Sequence, residues 1–205
     1  MMRPLLISAL LAAALWQLGQ GGLIQAKAWL GQLLLERAWT SADGPEPIKP
    51  WPGAVSHPIA RLSVPSLAID RLVLEGADTP VLAWGPGMEI GPNGHHMIAA
   101  HRDTHFRFLE QVELGDSFWL EQRDGSVRPW RVVDLAVVDS RRTAIDMNLN
   151  QERLTLVTCY PFDATSSGGP LRYLVGLLPE FEVELDNRAG MIAASHQVDL
   201  ARRLP

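Results

Sequence analysis

Short runs of apolar and β-branched residues, divided by turn residues, recur along most of the chain. Such runs predict strands, because they suit an extended segment that is buried on one face or on both. The predicted strands cover residues 59–64, 67–74, 96–101, 116–122, 127–138, 154–158 and 171–178. Two brief helices are predicted near residues 79–84 and 104–111, and residues 87–94 are predicted to form a loop. Seven or eight strands with such short helices indicate a mostly β fold that closes into a largely antiparallel barrel.

The N-terminus follows a different pattern, since no residue from Pro4 to Ala26 is charged and Arg3 stands directly before this segment. A helix over residues 4–26 would span about 34 Å, which exceeds a hydrocarbon core of about 30 Å. The pattern therefore predicts an uncleaved membrane anchor. A removable signal peptide, with Gly19-Gln20-Gly21 at its cleavage site, is the alternative. Either interpretation places the bulk of the chain outside the cytoplasm, because the positive charge precedes the apolar segment.

These patterns divide the chain into an anchor, a linker, a barrel and a tail. Residues 1–39 comprise the anchor and a juxtamembrane helix, which either extends the anchor or lies on the membrane surface. Residues 40–56 are rich in proline and predict an extended linker, in which Trp51 is either a lid on the domain or an incidental surface aromatic. Residues 57–180 form the barrel domain, and residues 181–205 form a polar C-terminal tail.

Composition excludes several classes of function. The 205 residues carry a net charge of −5, and lysine and arginine are scattered without an aromatic-interleaved basic face, so nucleic acid is not an expected partner. The single cysteine, Cys159, allows neither an internal disulfide nor a thiol-rich zinc site. No acidic cluster resembles a calcium site, and we expect no metal or other cofactor.

The candidate chemistry lies at strand ends, at His101, Cys159 and Arg172. A cysteine attacks acyl groups as its thiolate, and the reaction needs a group that accepts and returns a proton and a donor for the oxyanion that forms. Histidine and arginine supply these two roles. A lone thiol at the end of a strand is also what a small buried apolar side chain looks like, so this alternative stays open on Cys159 alone.

Three separated motifs resemble the sortase family in the order that the family has them. Residues 155–159, Thr-Leu-Val-Thr-Cys, are similar to the sortase TLxTC signature. Residues 99–104, Ala-Ala-His-Arg-Asp-Thr, resemble the family's strand-end histidine segment, where glycine is commoner at Ala100. Arg172 stands on the next predicted strand, where sortases keep their arginine. Residues 101–109 and 158–163 look most like the proteobacterial class GN sortases.

The resemblance implies an eight-stranded sortase barrel and transpeptidation. Cys159 would attack the carbonyl after a threonine in an LPxTG-like sorting signal of an exported protein, and an unidentified amine would resolve the thioester. His101 would protonate the departing amine and deprotonate the incoming one, while Arg172 would steady the oxyanion or position the peptide. Thr158 is a tentative substrate-binding residue. The expected location is a bacterial inner membrane, with the catalytic domain on the periplasmic side.

Two other functions are compatible with the same residues. A cysteine hydrolase or isopeptidase would use the same thioester with water, and a membrane-anchored binding module would keep Cys159 buried.

His101 and His105 have the spacing of a helical metal pair, but the sequence places no third ligand nearby. His95 and His96 come before the apolar residues of the strand that ends at His101, and they are therefore predicted to be loop residues. We expect Arg102 and Asp103 to form an exposed local ion pair, and Asp146 to be a turn residue.

Overall fold

Eight strands follow one long N-terminal helix in this computed structural model, which describes residues 2–41, 47–166 and 168–180. The helices are α1 (Met2–Thr40) and α2 (Thr79–Leu82), and two short 3₁₀ helices cover Pro65–Leu67 and Arg107–Gln111. The strands are β1 (Pro58–Val64), β2 (Ile69–Glu75), β3 (Gly87–Ile90), β4 (His95–Ala99), β5 (Ser117–Gln122), β6 (Val127–Asp139), β7 (Arg153–Cys159) and β8 (Leu171–Pro179). The polar C-terminal tail predicted at residues 181–205 lies outside the described residues.

The strands form a closed barrel in the order β1-β2-β3-β4-β7-β8-β6-β5, and pairing of β1 with β5 closes it. Neighbouring strands are antiparallel except for β2 with β3 and β4 with β7, which are parallel. The prediction of a closed, mostly antiparallel barrel with eight strands is therefore confirmed. The parallel pair β4 and β7 matters most for function, because both strands end at the same rim of the barrel.

The loop predicted at residues 87–94 is wrong in its first half, which forms β3. Gly87 pairs with Leu74 of β2 on one side and with Ala99 of β4 on the other. A side chain at position 87 would place its Cβ 2.1 Å from the Gly76 carbonyl oxygen, so this close approach requires glycine. A four-residue strand that contains such a glycine lacks the apolar run on which the sequence interpretation depended.

The barrel interior is filled by one face of each strand. In β1, burial alternates strictly and Ala60, Leu62 and Val64 are fully buried, as a half-buried strand requires. The largest side chains of this core are Trp130, Phe106 and Phe118. Full burial of one large apolar side chain contributes about 1.5–3 kcal/mol, so this interior holds the strand ends in place.

The N-terminal helix continues past its glycines and packs on the outside of the barrel. Leu35 is 2% exposed within a second apolar cluster that contains Leu72, Leu74 and Val81, and Trp39, Trp51 and Trp84 pack against it. Gly31 permits this packing, since a Cβ there would lie 2.5 Å from the Trp84 ring. The ring centroids of Trp51 and Trp84 are 4.7 Å apart, so Trp51 folds against the domain beside α1.

The membrane anchor predicted at residues 4–26 is not confirmed. Within the described part of the chain, no helix combines the length and the apolar character that crossing a bilayer requires.

Candidate active site

The parallel pairing of β4 and β7 brings His101 and Cys159 to one end of the barrel. Ala99 is in register with Val157, and the Ala100 amide donates to the Val157 carbonyl at 3.2 Å, which extends the ladder beyond the end of β4. The predicted strand at residues 96–101 thus ends at Ala99 in the structure, and His101 lies in the turn that follows. His101 and Cys159 line the same cleft, whose volume is about 360 Å³.

Cys159 is a free, half-buried thiol at the last residue of β7. Leu154, Leu156 and Thr158 are buried in this strand, and because side chains alternate between faces, Cys159 lies on the opposite face from these three. The thiol therefore lines the cleft and does not fill the core. This position argues against the alternative in which Cys159 is a small buried apolar residue.

Arg172 lies directly across from Cys159 in the antiparallel pairing of β7 and β8. Side chains of directly opposed residues share a face of a sheet, so Arg172 and Cys159 lie on the same face of two neighbouring strands. Its Nη1 donates to the carbonyls of Gly169 at 2.6 Å and Leu171 at 2.9 Å. The guanidinium thus lies against the loop between β7 and β8, and the cleft itself is lined by Gly169 and not by Arg172.

Thr158 has its hydroxyl inside the protein. The residue is 2% exposed, and its Oγ1 donates to the Ala100 carbonyl at 2.8 Å. This bond links the residue before Cys159 to the residue before His101, so it helps to fix the spacing of the two strand ends. The position offers no support for the predicted contact between Thr158 and substrate, which stays a prediction.

His95 and His96 lie in β4, where their side chains contact other parts of the barrel. His95 opens β4, is 1% exposed, and contacts the Asp146 carbonyl through Nδ1 at 2.9 Å and the Thr155 hydroxyl through Nε2 at 2.8 Å. His96 is also in β4, with its ring edge-on to that of Trp130. Their assignment to a loop is therefore wrong, because the strand begins earlier than its apolar residues indicate.

Burial also lowers the pKa of two histidines, His96 and His105. Desolvation lowers the pKa of His96, against weaker opposing effects of a Gly94 backbone hydrogen bond and the Glu152 charge. Desolvation likewise lowers the pKa of His105, and the nearby Arg71 charge adds to this effect. His105 does not line the cleft that contains Cys159.

Arg102 was predicted to be exposed, and this is wrong. Its side chain is 6% exposed, and it binds the Asp103 carboxylate through Nε at 2.6 Å and Nη2 at 2.8 Å. Its Nη1 donates to the Pro161 carbonyl at 2.5 Å and its Nη2 to the Ala164 carbonyl at 2.8 Å. The hydrogen bond from Arg102 holds the pKa of Asp103 below its ordinary value. No local pattern could reveal this, because both carbonyls lie far along the chain.

The family model that describes the sortase domain matches residues 62–177, which is more than half of the chain. The chain belongs to the sortase family. Among curated proteins, this sortase is similar to Sortase D of Bacillus subtilis (strain 168), with 31% identity over 120 residues. That match covers 56% of this chain and 60% of the relative, so the chain spans less than two thirds of the relative's length.

Solved structures agree with the fold of this sortase. A Clostridium perfringens Sortase D5 transpeptidase superposes with a TM-score of 0.57 at 20% identity, covering 73% of this chain and 98% of that one. Sortase C-1 from Actinomyces oris gives a TM-score of 0.50 at 26% identity, covering 58% and 71%. The resemblance to the sortase family is thus confirmed, whereas the finer resemblance to class GN is not.

No candidate metal site is evident among the described residues of this sortase. Across the described residues, no three histidine, cysteine, aspartate or glutamate side chains come together. His101 and His105 do share a turn, since the His105 amide donates to the His101 carbonyl at 3.2 Å, but only His101 lines the cleft.

Proposed function

We propose that this sortase is a cysteine transpeptidase that uses Cys159 as its nucleophile and His101 as its acid and base. The observation that carries the proposal is the shared cleft of these two side chains at the ends of adjacent parallel strands. A half-buried thiol with access to a cleft can reach a peptide carbonyl, and a histidine on the same cleft can exchange protons with the reacting groups.

The reaction proceeds in two halves. The Cys159 thiolate adds to the peptide carbonyl, and the tetrahedral intermediate collapses to a thioester as the C–N bond breaks. Protonated His101 gives its proton to the departing amine. An incoming amine then adds to the thioester carbonyl and loses a proton to His101, and the thiolate leaves as the new amide forms. His101 recovers from the incoming amine the proton that it gave to the departing amine, and no group is oxidised or reduced. The cycle therefore needs no cofactor.

Arg172 acts on the oxyanion of both tetrahedral intermediates. Its support is the register that sets it across from Cys159, with the guanidinium held by the Gly169 and Leu171 carbonyls. A planar guanidinium offers several donors in a fixed geometry, which suits an oxygen that gains negative charge during attack.

The substrate that fits this proposal is an exported protein with an LPxTG-like sorting signal, cleaved after its threonine. The support is the resemblance of residues 155–159 and 99–104 to sortase motifs, together with the membership of the family. The acceptor is a primary amine, because an amine is the nucleophile that turns a peptide thioester back into an amide.

Incubation with an LPxTG-type peptide is expected to give a thioester adduct on Cys159, detected by intact-protein and peptide mass spectrometry. Cys159→Ala should abolish the adduct, since no other thiol exists in the chain. His101→Ala should slow its formation by on the order of 100-fold or more, as loss of a positioned acid and base commonly does.

His105→Ala is the matched control, because His105 shares the turn with His101 but lies outside the cleft. It should keep most of the activity. An adduct that persists in Cys159→Ala, or a loss in His105→Ala as large as that in His101→Ala, would contradict the proposal. Addition of a primary amine should convert the adduct to an amide, and release of free acid alone would identify a hydrolase instead.

We further propose that residues 4–26 anchor the protein in the inner membrane of a bacterium, with the barrel on the periplasmic side. The support is the uncharged segment behind Arg3 and the high exposure of α1 side chains such as Leu15 and Leu18. Protease added after the outer envelope is opened should remove the barrel while the inner membrane stays intact. Protection of the barrel in this assay would contradict the topology.

A further inference from the structure

Arg102 connects two segments that approach each other only in the folded barrel. It follows His101 in the turn after β4, and it binds carbonyls of the loop after Cys159, at Pro161 and Ala164. Both of these residues line the cleft. At 6% exposure, Arg102 is one of the few charged side chains of the described barrel that is buried.

The Asp103 carboxylate orients this guanidinium. Nε and Nη2 of Arg102 bind its two oxygens in a fork, which fixes the plane of the guanidinium and directs the remaining N–H groups towards the loop. Nη1 then donates to the Pro161 carbonyl and Nη2 to the Ala164 carbonyl. An ammonium group has no planar fork and cannot reproduce this arrangement, so lysine is not equivalent at position 102.

The loop has its own turn at this point, because the Ala164 amide donates to the Pro161 carbonyl at 3.4 Å. Arg102 adds two hydrogen bonds to this turn, one to the carbonyl of Pro161 and one to the carbonyl of Ala164. Loss of the guanidinium would leave two carbonyls without these partners and would free the wall of the cleft that faces His101.

We propose that Arg102 is a positioning residue that locks the loop after Cys159 onto the turn that contains His101. This inference rests on the proposed function, because the positions that it fixes matter only if Cys159 and His101 act together on a peptide. Arg102 itself also lines the cleft, but its guanidinium N–H groups bind Asp103, Pro161 and Ala164. Its effect comes through the shape of the cleft and the relative placement of His101 and Cys159.

Charge plays a smaller part than geometry. The pKa of Arg102 is raised, mainly by the hydrogen bond to Asp103, and the negative charges of Asp103, a Cys159 thiolate and Asp163 add to this effect. Arg102 therefore lies close enough to Cys159 to interact with its charge. The Asp103 carboxylate pairs with this charge, and the other hydrogen bonds of the guanidinium place the loop.

Arg102→Lys is the decisive variant, since it keeps the positive charge and loses the fork. We expect kcat for thioester formation to fall by on the order of 100-fold, which is the cost of a displacement of about 1 Å in a reacting pair, with little change in KM. Native-state hydrogen exchange should show faster exchange of the Ala164 amide, while the amides of β4 and β7 stay protected. Asp103→Asn, which weakens the fork without removing Arg102, should give a smaller loss of kcat.

Arg107→Gln is the matched control. Arg107 donates to the Phe162 carbonyl of the same loop, but it is half exposed and does not line the cleft. This variant should keep its turnover. Near-native kcat in folded Arg102→Lys, an equal loss in Arg107→Gln, or a change in KM alone would overturn the positioning role.

Hydrogen exchange separates this inference from the proposed function. If the unaltered protein forms no thioester, the transpeptidase proposal fails, and the exchange of Ala164 then decides the contact by itself. Unchanged protection of Ala164 in Arg102→Lys would overturn the inference whatever the activity.

Discussion

The side chain of Arg172 illustrates how a single residue can be fixed by the backbone around it. Its guanidinium already binds the carbonyl of Gly169, in the loop that borders the cleft, and the carbonyl of Leu171, the first residue of β8. Lysine would keep the charge but lacks the planar fork, whose separate nitrogens let one part of the group bind these carbonyls while another meets an oxyanion. We expect Arg172→Lys to lower kcat/KM by on the order of 100-fold, equivalent to about 2.7 kcal/mol, in steady-state peptide assays.

The control for this substitution is Arg142→Lys, because Arg142 is exposed in the turn after β6 and lies away from the cleft. It should have native activity. Both variants should keep the circular dichroism spectrum of the unaltered protein. Near-native turnover in Arg172→Lys would leave Arg172 with only a diffuse electrostatic effect.

At the same scale, sequence reasoning could nominate His101 and Cys159, which stand at the ends of apolar runs, and Arg172, which stands at the start of one. It could not find the burial of Arg102 or His95. Their partners are the carbonyls of Pro161, Ala164 and Asp146, which any sequence could supply and which only the closed barrel brings near. Local patterns therefore nominate candidate residues, while long-range contacts determine which residues are buried around them.

At the scale of elements, the apolar patterns predicted every strand except β3, and the errors lie at the ends of elements. Predicted strand ends differ from those observed because backbone pairing decides where a strand stops. β4 shows this well, since it starts at His95, where the side chain binds Asp146 and Thr155, and not at the first apolar residue. The short β3 requires glycine at position 87, because the Gly76 carbonyl directly after β2 comes close to it. A periodic pattern of apolar residues does not reveal such a contact.

The packing of α1 on the barrel gives a prediction for one side chain. Leu35 is 2% exposed under the helix, and Leu33 is 51% exposed on the same helix. Leu35→Ala should lower the free energy of unfolding by about 2–5 kcal/mol, because it leaves a cavity beside Leu72 and Leu74. Leu33→Ala, the control, should change it by less than about 0.5 kcal/mol.

Urea unfolding followed by fluorescence measures both variants, since Trp39, Trp51 and Trp84 surround this cluster. Equal stability of Leu35→Ala and the unaltered protein would mean that α1 contributes nothing to the stability of the barrel in solution.

At the scale of the whole molecule, partly buried histidines make the fold sensitive to acid. Burial lowers the pKa values of His57, His96 and His105, although the Glu75 charge partly opposes this at His57. The unfolded chain titrates near pH 6.5, so it takes up protons before the folded state does. The stability from the neutral histidines is therefore complete above about pH 6.5 and is lost as the pH falls towards the lower folded-state values.

Chemical denaturation at a series of pH values should show this loss between about pH 7 and 5. His96→Phe keeps an aromatic ring beside Trp130 and removes one titrating group, so its stability should fall less steeply over the same range. The reference is the comparison at pH 8, where the histidines are neutral in both the folded and the unfolded protein. A pH dependence identical to that of the unaltered protein would contradict a contribution from His96.

The parallel register of β4 and β7 also bears on protein engineering. The spacing of His101 and Cys159 is set by backbone hydrogen bonds between two strands, and part of the cleft wall is formed separately by residues of the loop after Cys159, among them Pro161, Ala164 and Gly169. A designer could therefore replace that loop to alter peptide preference while the reactive pair keeps its spacing. Any graft must still offer backbone carbonyls at the positions of Pro161 and Ala164, because the barrel already contains the guanidinium that grips them.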